Sequence, residues 1–193
     1  SGSGDNTIII WDKDDQGRYH ESAKLEGHTK FVNTLQVLPD GRIVSGSGDK
    51  TIRIWDKDDQ GKYHESAKLE GHTAWVNTLQ VLPDGRIASG GGDNTIIIWD
   101  KDDQGHYHES AKLEGHTDWV NTLQVLPDGR IVSGSHDKTI IIWDKDDQGH
   151  YRESAKLEGH TNYVYTLQVL PDGRIVSGSG DKTIRIWDGI KDE

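Results

Sequence analysis

The sequence contains neither cysteine nor methionine. Without cysteine there is no disulfide framework and no thiolate metal site, which fits a reducing compartment and favours the cytoplasm. Proline is almost as scarce. All four copies, Pro39, Pro83, Pro127 and Pro171, stand in the same Pro-Asp-Gly sequence, where they read as turn formers. No apolar run is longer than Ile8-Ile9-Ile10-Trp11, far short of a membrane span, and no signal-peptide pattern opens the chain. Positive charge is outnumbered, with 22 Lys and Arg against 33 Asp and Glu. The net charge of −11 repels phosphate backbones and argues against nucleic acid as a partner. No segment carries a helical signal.

What is present is repetition. Ser45-Gly-Ser-Gly-Asp-Lys-Thr-Ile-Arg-Ile-Trp-Asp56 returns with small changes at Ser1, Ser89, Ser133 and Ser177, and its Trp recurs every 44 residues as Trp11, Trp55, Trp99, Trp143 and Trp187. A period of this size marks a repeat architecture, in which one unit cannot bury its apolar face alone. A chain of 193 residues can bury roughly 70% of its unfolded surface as one body. It opens on Ser1-Gly2-Ser3, already repeat sequence without a starting Met, which reads as a trimmed or engineered start.

Within a period the pattern is one of short strands and turns. Thr7 to Trp11 is β-branched and bounded by turn residues, as a buried strand should be. A loop at Asp12-Lys13-Asp14-Asp15-Gln16-Gly17 leads to Tyr19–Leu25, where alternation places Tyr19, Ala23 and Leu25 on one face and His20, Ser22 and Lys24 on a wet one. Phe31 to Leu38 and Arg42 to Ser47 are the next strands, and Gly48-Asp49 turns the chain into Thr51 to Trp55. Four antiparallel strands per period give an all-β chain of four-stranded sheets.

Gly-His opens each unit (Gly27-His28, Gly71-His72, Gly115-His116, Gly159-His160) and Trp-Asp closes its third-strand segment (Trp55-Asp56, Trp99-Asp100, Trp143-Asp144, Trp187-Asp188), with Ser-Gly-Ser-x-Asp-x-Thr-Ile or a close variant between. Over essentially its whole length the chain resembles the WD-repeat family of β-propellers. The resemblance implies four-stranded antiparallel blades around a central channel, about four per chain. On that reading the single array spans 1–193: a partial blade 1–26, repeats 27–70, 71–114 and 115–158, and three final strands in 159–193.

Each unit also offers Ser, His and Asp, which invites a hydrolase reading. The set occurs four times: His28, Ser45, Asp49 and Trp55; His72, Ser89, Asp93 and Trp99; His116, Ser133, Asp137 and Trp143; His160, Ser177, Asp181 and Trp187. Active sites are rarely multiplied in this way, and the family resemblance implies a buried hydrogen-bonded network, so no catalytic residue and no enzymatic activity are expected. The acidic loop resembles the opening of an EF-hand, but its fifth position is Gln16 and its twelfth Ala23. Of the ten His, only His106 and His108 offer a close pair on one strand face, and two ligands do not make a site. No metal and no cofactor are expected.

Function must then be sought where the copies differ. After Gly-His-Thr they read Lys30-Phe31, Ala74-Trp75, Asp118-Trp119 and Asn162-Tyr163; Asn33, Asn77 and Asn121 become Tyr165; Gly48 and Gly92 become His136. In a propeller of this family these positions share the face beside the channel mouth, and aromatics with polar neighbours are what a protein or peptide interface uses as anchors. The rings either form such anchors or pack between blades, whereas Lys30, Ala74, Asp118 and Asn162 are expected to be exposed.

Four units are fewer than the seven blades usual in this family, and an open arc leaves unpaired strand edges. Two chains would close eight blades as an isologous homodimer. The third strand at each junction would then be supplied twice, by Thr7–Trp11 and by Thr183–Trp187, so that one copy must be displaced. The expectation is a non-enzymatic interaction scaffold that binds a protein or peptide on the Gly-His face. The alternative is an engineered or structural repeat array for propeller assembly with no evolved ligand.

Overall fold

The computed structural model describes residues 1–188; residues 189–193, the tail of the last expected segment, lie outside the described residues. It contains seventeen strands and, among the described residues, no helix. β1 (Ile8–Lys13) and β2 (Tyr19–Leu25) form a two-stranded sheet. Three four-stranded sheets follow: β3 to β6 (Val32–Val37, Ile43–Ser47, Thr51–Lys57, Tyr63–Glu70), β7 to β10 (Val76–Val81, Ile87–Gly91, Ile96–Lys101, Tyr107–Leu113) and β11 to β14 (Val120–Val125, Ile131–Ser135, Ile140–Lys145, Tyr151–Leu157). β15 (Val164–Val169), β16 (Ile175–Ser179) and β17 (Ile184–Trp187) form a last, three-stranded sheet. Every pairing is antiparallel between strands consecutive in sequence.

The sheets stand side by side like propeller blades, with the first strands β3, β7, β11 and β15 packed in succession along the inner side. Their apolar clusters are shared between neighbours. Val44, Ile52 and Ile54 of the second sheet bury against Val76, Ile87 and Trp99 of the third, and Ile96 and Ile98 of the third against Val120, Ile131 and Trp143 of the fourth. Close approach at these seams requires glycine. A Cβ on Gly46 would lie 2.6 Å from Val76 Cγ1 and 2.8 Å from Thr34 Cγ2.

One expectation about the outer strand is corrected. The register shifts between Ile10 and Trp11, which pair with Ala23 and Glu21 and leave Ser22 without a partner. The same bulge falls at Ser66, Ser110 and Ser154, and each of these hydroxyls donates to the carbonyl of the isoleucine before the Trp, at 3.1–3.3 Å. One extra residue reverses the alternation. Tyr19 therefore lies on the Trp11 face, while Ala23 and Leu25 lie on the opposite face with Ile8 and Ile10.

The two ends lack neighbours. Trp11 is 48% exposed where Trp55 is 2%, and Ile184 and Ile186 are 76% and 58% exposed where Ile140 and Ile142 are nearly sealed. Beside β1 in the first sheet lies Ser1–Ser3, joined to it by the bridge between Gly2 and Ile8 and by the Ile9 N–H to the Ser1 carbonyl.

Candidate functional site

Behind one face of each complete unit lies the repeated quartet. His28 enters from the connection before β3, Ser45 from β4, Asp49 from the turn after it, and Trp55 from β5. His28 Nδ1 is 2.8 Å from Asp49 Oδ2, His28 Nε2 is 2.7 Å from Ser45 Oγ, and Trp55 Nε1 donates to the same Oγ at 2.9 Å. The three bonds recur at 2.7–2.9 Å in the units of His72, His116 and His160.

The Ser, His and Asp atoms stand at the spacing of a hydrolytic triad and share its bond directions, yet the Trp donor on the serine oxygen and the burial give another role. The Trp N–H donates to the serine oxygen, the serine hydroxyl donates to Nε2, and the Nδ1 proton goes to the carboxylate, so each donor has one acceptor. All four serines are fully buried, so no substrate can reach Oγ. Burial opposes ionisation of Asp49, but hydrogen bonds from the Thr51 hydroxyl, the Thr29 N–H and His28 outweigh it and hold the carboxyl well below the usual range. Asp93, Asp137 and Asp181 are lowered likewise, Asp93 and Asp137 against burial chiefly by their His, Asp181 chiefly by Thr183. Burial also lowers the pKa of His28, against the pull of Asp49, which keeps its imidazole neutral. Thr51 and its counterparts Thr95, Thr139 and Thr183 were not singled out from sequence; their signal is the invariant Asp-x-Thr spacing within the chain.

Above the quartets runs a row of rings. Phe31 and Trp75 meet edge to face at 5.2 Å, Trp75 and Trp119 lie 5.6 Å apart, and His136 is stacked between Trp119 (5.1 Å, 21°) and Tyr163 (4.1 Å, 17°). Tyr165 closes the row at 5.8 Å from His136. The rings both pack from sheet to sheet and remain open above: Trp75, Trp119 and Tyr163 are each nearly 40% exposed. His136 replaces a glycine without clash because it slides between two rings. At Gly48 that space is taken by the Phe31 ring, 2.7 Å from a built Cβ.

The residues before the aromatics differ from expectation. Lys30 is exposed, but Ala74, Asp118 and Asn162 are only half-exposed. The side-chain oxygens of Asp118 and Asn162 fold back to accept the next residue's N–H at 2.8 Å, and Asn162 also donates to the Gly180 carbonyl.

The remaining candidates separate. Asp14 of the acidic loop accepts the N–H groups of Gln16 and Arg18, so its carboxylate is occupied by its own turn. His106 lies before β10 rather than on a strand face with His108, and its ring turns towards Asp102 at 3.6 Å. Among the described residues no three or more His, Asp or Glu side chains converge as a metal-binding group.

Sheets of this kind, ranged side by side and locked by a His-Ser-Asp-Trp quartet, define a β-propeller array. The family model "WD domain, G-beta repeat" matches residues 20–56, 64–100, 108–144 and 151–188, most of the chain, and the protein belongs to that family. Among solved structures it is similar to the WD40 β-propeller domain of Doa1, at 27% identity with a TM-score of 0.78 over 96% of this chain. The chain spans 58% of the length of that one. No match was found among curated proteins. Propellers of this family are typically non-enzymatic protein-interaction scaffolds.

Proposed function

We propose that this chain is a non-enzymatic scaffold that pairs with a second copy to close an eight-bladed ring and binds a protein or peptide on the row Phe31, Trp75, Trp119, His136, Tyr163 and Tyr165. The observation that carries the binding site is the continuity of this row and the exposure of Trp75, Trp119, Tyr163 and Tyr165 in it, beside Lys30, Ala74, Asp118 and Asn162, where the units differ least conservatively. Stacked rings held by their neighbours offer large contact area at little entropic cost, the property of interface anchors.

The test is selection of a displayed random-peptide library on the intact chain. Enriched peptides whose binding is lost in Trp119→Ala and His136→Gly, with circular dichroism and mass unchanged, would support the face. Enrichment indifferent to both changes, or no enrichment, would remove it and favour the alternative, an engineered or structural array for propeller assembly with no evolved ligand. That second reading draws on the near-identity of the repeats. Pairing is measured separately, as the absolute mass in solution.

A further inference from the structure

We infer that the free edge of β17 is the seat of β2 from a second copy of this chain, and that β1 is the strand displaced by the exchange. The inference rests on the pairing proposed above and specifies its register. Because β5 and β6 repeat β17 and β2 in sequence, their pairing gives the alignment: Ile184 opposite Leu25, Arg185 opposite Lys24, Ile186 opposite Ala23 and Trp187 opposite Glu21 of the second copy.

A charge pair selects this arrangement. In the second sheet Arg53 of β5 forms an ion pair with Glu65 of β6, its guanidinium lodged against Gly27 and Trp55. Arg185 takes the same place against Gly159 and Trp187 but, among the described residues, forms no ion pair, because its sheet has no outer strand. Glu21 is the residue of β2 equivalent to Glu65, and the strand it now lies on offers Ile9 where β5 has Arg53. Seating β2 on β17 brings the two together.

A cavity points to the same occupant. At the seams between the second and third and the third and fourth sheets, Tyr107 and Tyr151 of the outer strands lie over Arg42 and Arg86 of the preceding sheet, leaving clefts of about 310 and 280 Å³. At the seam between the fourth and fifth sheets no such tyrosine is present among the described residues, and a cavity of about 730 Å³ opens, lined by Pro127, Ile142, Pro171 and Arg174. In the register above, Tyr19 of the second copy enters it. In its own chain Tyr19 is 67% exposed.

The anchoring of the two competing strands decides which yields. β17 is held by a complete quartet, with Trp187 bonded to Ser177 and Ser177 to His160. β1 is held by β2 and by the Ser1 and Gly2 main chain, but its Trp11 has no quartet: Nε1 makes a 3.3 Å contact with Ser1 Oγ, and among the described residues no His reaches that serine. Where β1 leaves, β15 to β17 of the other copy would cover Val37, which is 64% exposed while its counterparts Val81 and Val125 are half-buried.

The test uses the full chain and light scattering after size exclusion at several concentrations. A mass of about twice 21.6 kDa is expected for the wild type. Arg185→Glu and Glu21→Arg are each expected to raise the dimer dissociation constant about tenfold or more, and the double variant to return to within about threefold of wild type. A second measurement exploits the absence of cysteine. Mixed Lys24→Cys and Arg185→Cys chains are expected to form a disulfide-linked pair on oxidation. Single charge variants that pair as tightly as wild type, or cysteine chains that stay unlinked within a normal dimer, overturn the exchange but leave the pairing. A mass of 21.6 kDa at every concentration overturns both.

Discussion

The side-chain amide of Asn33 donates to the main-chain carbonyl of Val76, 2.9 Å away on the next sheet. Asn33 is the extra residue of a bulge in β3, between Val32 and Thr34 in the register, and the bulge turns its amide out of its own sheet. Asn77 and Asn121 reach Val120 and Val164 in the same way, at 3.1 and 3.0 Å. In the last sheet of the described residues Tyr165 stands at this position. Asn77→Ala is expected to cost about 1 kcal/mol in a urea titration, the net worth of one such bond, with the far-ultraviolet spectrum unchanged.

The two serines of each Ser-Gly-Ser sequence should respond very differently. Ser89→Ala leaves both His72 Nε2 and Trp99 Nε1 without their partner in a sealed site, so a loss of about 3 kcal/mol is expected. Ser47 Oγ instead reaches the Lys30 carbonyl and the Asp49 N–H, and the third sheet already carries Gly91 there. For Ser47→Ala the same titration should read about 1 kcal/mol or less.

Glycine at the seams predicts a position effect. Gly90→Ala would drive a methyl to 2.6 Å from Val120 Cγ1, and a cost of about 2 kcal/mol or more is expected from overpacking. At Gly178, on the last sheet, a built Cβ meets only Thr166, at 2.8 Å. Gly178→Ala should lower the melting temperature less than Gly90→Ala does.

Acid should weaken the fold in two stages. The folded pKa of His28 lies below its unfolded value near 6.5, so the folded state binds fewer protons. Its contribution is complete above about pH 6.5 and is lost as pH falls through that value towards the folded pKa. Asp49, Asp93, Asp137 and Asp181 are also lowered, so their contribution is present above the ordinary carboxylate pKa of about 3.9 and is lost below it. Thermal melts from pH 8 to pH 2 should show a shallow decline below about 6.5 and a steep one below about 4. Replacing His28 with Gln should flatten the first and, because His28 is one of the bonds holding Asp49 low, reduce the second slightly.

Much of this was legible in the residues. The period and the strand order follow from motifs that recur together, because each local signal agrees with the others, while the convergence of His28, Ser45, Asp49 and Trp55 is what the family resemblance implies. The bulges at Ser22 and Asn33 left no such mark. A single extra residue changes which face a side chain takes without changing composition, so alternation alone puts Tyr19 on the wrong side. Nor does a repeated sequence distinguish contacts within a unit from contacts across a seam. Asn33 to Val76 and Arg42 to Tyr107 link residues from different copies, and only the packing of the sheets brings them together.

Because every apolar cluster is divided between two sheets, no sheet has a core of its own. The array behaves as a one-dimensional chain of nearest-neighbour couplings, in which breaking one seam exposes the next. Amide protons should exchange fastest in β1 and slowest in the third sheet, which has complete neighbours on both sides. The same division makes duplication simple in evolution: a copied stretch of 44 residues arrives with both halves of a seam, and the array lengthens without the invention of a new interface.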